Sequence, residues 1–344
     1  MNPAAPAPVR RLRGVAPTAV PYGELLEAQQ PVVLEGLARD WPLVARGRAG
    51  PAAAAAYLRQ FAGERPVTAF TGPPAIGGRF HYDAELTGLN FTAERVPLGA
   101  FLDTVLAHLS EAQPPALYVG STDLDIYLPG LRARNALALD HPAFGEEPPL
   151  ASLWIGNRTI APAHYDMANN LACCMVGHRR FTLFPPEQVA NLYPGPLERT
   201  PAGQVVTMVD FRAPDLGRYP GFAEAMASAQ VAELGPGDVL FYPALWWHQV
   251  EALDPFNVMM NYWWNPSPAY IDPPQTTLLH ALLSLRDRPD SEKRAWRALF
   301  DYYVFGPADR AGAHLPDRAR GALAPMDETM ARRLRAQLLR RLNR

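Results

Sequence analysis

Residues 156–186 read GNRTIAPAHYDMANNLACCMVGHRRFTLFPP, and residues 234–253 read LGPGDVLFYPALWWHQVEAL. Short apolar runs divided by Gly, Pro and Asp are the pattern of strands joined by tight turns. In these two stretches the runs are NLACCMV (170–176), RRFTLF (179–184), DVLFYP (238–243) and QVEAL (249–253). SLWIG (152–156), QVVTMVD (204–210) and NVMMNYWW (257–264) continue the pattern on either side. So many short strands predict an antiparallel sandwich or barrel over residues 151–270, interrupted at 214–230 by a loop and a short helix.

Working outward, PVVLEG at 31–36 reads as a short buried strand, ended by the breaker Asp40-Trp41-Pro42. Helices are expected at 51–62 and 97–110, and 112–150 reads as connecting strand and loop. Residues 1–150 are therefore expected to form an α/β flank packed on the β-rich core. Beyond 271 the chain becomes helical, with segments at 276–285, 292–305 and 328–342. The last aligns Leu334, Leu338 and Leu342 on one side against arginines on the other. That stripe is either a solvated amphipathic face or the seam of a homodimer.

Composition narrows the function classes. The 344 residues are 48% hydrophobic and 19% charged, a globular balance. A formal net charge of −2 gives no electrostatic case for nucleic acid or a membrane surface. Lys293 is the only lysine, so any role commonly given to a buried lysine falls to another residue. Cys173 and Cys174 are adjacent and have no other cysteine to pair with, which excludes a disulfide scaffold and a cysteine zinc site. No apolar run is long enough to span a membrane. The opening MNPAAPAPVRRLRG lacks the apolar stretch of a secretory signal, and its prolines interrupt any amphipathic transit helix. The expectation is a flexible arm on a cytoplasmic protein.

Two His-x-Asp sequences stand out, His81-Tyr82-Asp83 and His164-Tyr165-Asp166. Residues two apart on a strand share a face, so each could offer an imidazole and a carboxylate to one ion. The second pair opens the β-rich block. A third candidate, His248, follows the Gly235-Pro236-Gly237-Asp238 turn and an apolar strand of the same block. Two imidazoles and one carboxylate with open positions make the facial triad of non-haem Fe(II) oxygenases. His81 lacks such a third partner and reads as a decoy.

The combination of HYD, LFPP, YPGP, GPGDVL and WWH resembles the cupin-like Jumonji C oxygenases over about 154–264, with LEGLARDWP near residue 40 as a weaker echo. Within them the likeness runs to asparaginyl hydroxylases and their bacterial relatives. The resemblance implies a double-stranded β-helix, Fe(II) held by His164, Asp166 and His248, and 2-oxoglutarate and O2 as co-substrates. The far carboxylate of 2-oxoglutarate needs a buried cation. Where the family places a lysine, fifteen residues after the first histidine, this chain has Arg179. Alternation puts Arg179, Phe181 and Leu183 on one face and Arg180 on the other. Arginine can grip a carboxylate with two parallel bonds.

The same resemblance implies that Asn170 and Asn261 lie beside the co-substrate and the metal ligands, and that the Tyr118 hydroxyl reaches the far carboxylate. The family's threonine three residues before the histidine is Ala161 here, and Thr159 replaces it only through a change of register. Trp154, Trp246 and Trp247 read as core aromatics. Trp263 shares a strand face with Asn261, near the substrate's approach, and Pro- and Gly-rich segments at 71–79 and 194–221 form the expected rims of a groove. The implied activity is hydroxylation of a protein or peptide side chain, yielding succinate and CO2. The competing readings are a cupin metalloenzyme or oxygenase acting on a small metabolite, and a catalytically silent cupin binding module.

Overall fold

The computed structural model describes residues 6–145 and 148–343. Its strands are, in the N-terminal part, β1 (Ala7–Pro8), β2 (Arg10–Leu12), β3 (Val32–Leu34), β4 (Val67–Gly72), β5 (Thr92–Val96) and β6 (Ala116–Asp123). There follow β7 (Leu150–Gly156), β8 (Ile160–Tyr165), β9 (Asn169–Val176) and β10 (Arg179–Phe184). The series ends with β11 (Gln230–Leu234), β12 (Val239–Tyr242), β13 (Trp247–Ala252) and β14 (Asn257–Trp264).

These strands make two sheets, ordered β1-β11-β10-β13-β8 and β2-β3-β12-β9-β14-β7-β6-β4-β5. Side chains from both sheets meet in one core, where Phe181, Leu183 and Val250 of the smaller sheet join Ala172, Leu240, Tyr242 and Met259 of the larger. This is the expected mainly-β cupin jelly roll with flanking helices. The other face of the larger sheet is covered by the helices Pro42–Arg48, Pro51–Arg59 and Leu98–Ala107. Every residue of β9 is therefore buried, which accounts for its unbroken apolar run. Alternation sends Cys173 to the helical side and Cys174 to the core between the sheets. The outer face of the smaller sheet is covered by a third cluster that includes Phe184, Phe222, Val205 and Trp247.

Two expectations are corrected. The arm is not flexible from residue 7 onward, because β1 pairs in parallel with β11 and β2 with β3. One short stretch thus closes an edge of each sheet. Its arginines find carboxylates: Arg11 Nη2 lies 2.9 Å from Asp238 and its Nε 3.1 Å from Glu35. Pro8 is tolerated because β1 is an edge strand. Residues 1–5 of the arm lie outside the described residues. The second correction concerns 204–210, which form no strand and make only an isolated bridge, Pro194 with Thr207. Val205 and Val209 are buried in the third cluster, so the apolar run marks burial without a ladder partner.

The chain divides into two compact units, Met1–Pro266 and Ser267–Arg344. Strands β4, β5 and β6 continue the same sheet as β7, so the N-terminal flank shares backbone hydrogen bonds with the core. The second unit carries the helices Pro274–Ser284, Asp290–Tyr303 and Glu328–Leu342. None of these three helices buries a residue. Among the described residues, no helix is long and apolar enough to cross a membrane.

Candidate metal centre

His164 lies on β8 and His248 on β13, directly opposite in the antiparallel register, with ring centroids 4.4 Å apart. The register then shifts: His248 faces His164, but Val250 faces Ala161. Two residues of β8, Pro162 and Ala163, thus oppose the single Gln249. Proline has no N–H for a ladder, and a bulge at this point is the expected result. The bulge changes the alternation, so that Ala161 and His164 both face the interior although they are three apart. Ala163 is left in the outer cluster.

The Pro162 carbonyl accepts a hydrogen bond from His164 Nδ1 at 2.8 Å, and the Trp246 carbonyl one from His248 Nδ1 at 3.0 Å. A carbonyl only accepts, so each Nδ1 carries a proton, which leaves Nε2 as the nitrogen of each ring placed to ligate. Asp166, just past the end of β8, brings Oδ2 to 3.6 Å from His248 Nε2. One ligand atom from each of the three residues lies within 4.8 Å of the others, the only such group of His, Cys, Asp and Glu among the described residues. Burial, followed by the neighbouring His164 ring, holds His248 well below the usual imidazole value, so it stays neutral and able to ligate. Two imidazole Nε2 atoms and one carboxylate fit a divalent first-row metal.

A cavity of about 300 Å³ adjoins the three residues. Tyr118, Trp154, Met259, Asn261 and Trp263 line it from the larger sheet. Thr159 and Ala161, both on the far side of the bulge from His164, also line it. Exposed Ser121, Ala202 and Gly203 form part of its rim.

Arg179 is 2% exposed, and its Nε and Nη2 have no hydrogen-bond partner. Burial pushes the guanidinium below its ordinary value, and Tyr118 and Cys174 act in the opposite sense. Burial raises Tyr118 to about 12, with the Arg179 charge pulling it down, so the two groups interact electrostatically. An arginine stays charged in proteins, and a buried cation with unpaired donors fits an incoming anion. Arg180, on the opposite face, makes an exposed pair with Glu233 through Nε at 3.0 Å and Nη2 at 2.7 Å.

Asn170 Nδ2 donates to Asp166 Oδ2 at 2.9 Å, and Asn261 Nδ2 donates to Asn170 Oδ1 at 2.9 Å. Both amides thus stand behind the carboxylate. Trp154 packs against the core between the sheets and also does more than fill it: it is half-buried, lines the cavity, and donates from Nε1 to Asn261 Oδ1 at 2.6 Å. Its strand position was legible but its partner was not, because only the β7-β14 pairing brings them together. Trp246 and Trp247 are buried in the inner and outer clusters. Trp263 touches the Trp154 ring edge to face at 5.7 Å. His81 lies apart from the metal group, its Nε2 donating to the Thr207 carbonyl at 3.0 Å.

A fold and site of this kind define a cupin-like protein of the Jumonji C type. The Cupin-like domain family model matches residues 17–270, and the chain belongs to that family. Lysine-specific demethylase 8 of Xenopus tropicalis is 28% identical over 247 residues, covering 70% of this chain and 49% of that protein. HSPB1-associated protein 1 of Homo sapiens is 36% identical over 153 residues, 42% of this chain and 30% of that protein. Lysine-specific demethylase JMJ31 of Arabidopsis thaliana is 31% identical over 126 residues, 36% of this chain and 22% of that protein. The chain spans about half or less of the length of these relatives. They support the Jumonji C family but do not show the asparaginyl hydroxylase branch within it.

Proposed function

We propose that this protein is an Fe(II)- and 2-oxoglutarate-dependent oxygenase that hydroxylates a protein or peptide side chain. The observation that carries the reading is Arg179, a buried guanidinium with two unpaired donor atoms inside the same β-helix as the His164–Asp166–His248 group. A dicarboxylate that meets the metal group at one end needs such a cation at the other. Iron and 2-oxoglutarate, when bound, supply the activation of O2 that inserts one oxygen atom into a C–H bond, with succinate and CO2 as co-products.

The chain's own residues hold and orient. His164, Asp166 and His248 provide the ligand atoms. Arg179 and Tyr118 receive the distant carboxylate, and Thr159 adds its hydroxyl to the cavity lining. Asn170 fixes Asp166, and the aromatic wall of Tyr118, Trp154 and Trp263 keeps water from the reacting carbon. Trp263 contacts the substrate from that wall. The demethylase names of two relatives fit the same chemistry, because removal of an N-methyl group begins as its hydroxylation.

We read the C-terminal helices as the contact between two copies of the chain. Isolated helices of this length are marginal in water. Leu279, Leu283, Phe305 and Leu342 are all more than half exposed. Light scattering gives twice the monomer mass on this reading, and a monomer at micromolar concentration contradicts it. The activity is tested by following succinate formation from 2-oxoglutarate with Fe(II), with and without peptide substrates.

A further inference from the structure

Three hydrogen bonds connect Trp154 to the carboxylate of the metal group. The Trp154 indole donates to Asn261, Asn261 donates to Asn170, and Asn170 donates to Asp166. The two ends of the chain set its direction. An indole N–H can only donate, and an ionised carboxylate can only accept. Each amide must therefore take the bond with its oxygen and pass the next one from its nitrogen. No flipped amide satisfies both neighbours. Asn261 sits on β14 between β7, which carries Trp154, and β9, which carries Asn170, so adjacent strands deliver all three links.

Trp154 is itself tightly held. A Cβ built on Gly120 would lie 2.8 Å from the Trp154 ring, so only glycine allows β6 to approach it this closely. The Tyr118 and Trp263 rings flank the same indole at 5.9 Å and 5.7 Å. Asp166, by contrast, lies beyond the end of its strand, and its side chain is 22% exposed. The rigid end of the chain is the tryptophan, and the end that needs orienting is the carboxylate.

We propose that Trp154 is a positioning residue for the metal centre, holding Asp166 in its ligating orientation through Asn261 and Asn170. The inference rests on the reading of His164, Asp166 and His248 as metal ligands. Because Trp154 also lines the cavity, a substrate pressing on its ring is connected to the carboxylate through the same three bonds.

The test is Mn(II) and Co(II) binding by calorimetry on the full chain, with the visible spectrum of bound Co(II) as a report on ligand geometry. Trp154→Phe keeps an aromatic ring and removes the N–H. It is expected to weaken metal binding about tenfold, the lower end of the usual cost of removing a residue that orients a ligand, and to shift the Co(II) bands. Asn261→Ala breaks the same chain without altering the aromatic packing and gives the same result. Gly120→Ala does so by displacing the indole. Arg180→Ala, which removes a side chain paired with Glu233 at the surface, leaves metal affinity unchanged. Wild-type affinity and spectrum in both Trp154→Phe and Asn261→Ala overturn the relay alone. A wild-type protein that binds neither ion overturns the metal reading and the relay together.

Discussion

His164 and His248 face each other across β8 and β13, 84 positions apart in the chain, with their ring centroids 4.4 Å apart. Each is fixed by a backbone carbonyl two residues earlier in the chain, Pro162 within β8 for the first and Trp246, just before β13, for the second. The two strands thus set both the distance between the rings and the tautomer of each. No other side chain is needed to aim the lone pairs.

Replacing His164 or His248 by Ala removes one of these nitrogens with no neighbour to take its place. Asp166→Ala removes the only anionic ligand atom of the group. Calorimetric titration with Mn(II) or Co(II) is expected to show at least a hundredfold weaker binding in all three, of order 3 kcal/mol. Affinity equal to wild type in the three variants contradicts the assignment.

Arg179→Ala is expected to weaken 2-oxoglutarate binding to the metal-loaded protein by about 1.5–3 kcal/mol, the usual range for a hydrogen bond to a charged group. Arg179→Lys restores part of this, since the charge returns but the planar fork does not. Arg180→Ala changes little, because that side chain is occupied at the surface by Glu233. A larger loss at Arg180 than at Arg179 places the co-substrate on the wrong face of β10.

His81 gives a pH dependence that has nothing to do with the metal. Burial, reinforced by the Arg79 charge, lowers its pKa from 6.5 to about 4. Between those values the unfolded chain binds the proton that the folded chain refuses. Stability is therefore full above pH 6.5 and falls as pH drops toward 4. The integrated loss is of order 3 kcal/mol. Urea unfolding at several pH values should show a flatter slope for His81→Gln than for wild type across this window. Parallel curves for the two proteins contradict the account.

A polypeptide substrate is expected to gain 16 daltons when peptide libraries are incubated with the Fe(II)-loaded enzyme, 2-oxoglutarate and O2. Efficient oxidation of a free amino acid, with no peptide modified, contradicts the polypeptide reading and leaves the oxygenase reading standing.

The β-rich core was legible because its strands are short apolar runs punctuated by turns. His164, Asp166 and His248 were legible because strand alternation and a Gly-Pro-Gly-Asp turn put them within reach of each other. Four features were not. β5, reading TAERV and mostly exposed, carries no apolar signal, and its place in the larger sheet comes only from pairing with β4. Residues 204–210 have the apolar content of a strand, but no neighbour offers them a ladder. The link from Trp154 to Asp166 crosses three strands, and a sequence shows which residues share a strand face long before it shows which strands are neighbours. Pro162 was visible, but its consequence, a bulge that turns His164 toward the interior, depends on what lies opposite it in β13.

The most direct test of the central claim is succinate production from 2-oxoglutarate by the Fe(II)-loaded protein in air, measured beside 2-oxoglutarate binding to the same preparation. Wild-type protein is expected to bind 2-oxoglutarate and release succinate, with the rate rising when a peptide substrate is present. His248→Ala should lose turnover, and Arg179→Ala should need a much higher 2-oxoglutarate concentration. A metal-loaded wild-type protein that neither binds 2-oxoglutarate nor forms succinate contradicts the oxygenase account.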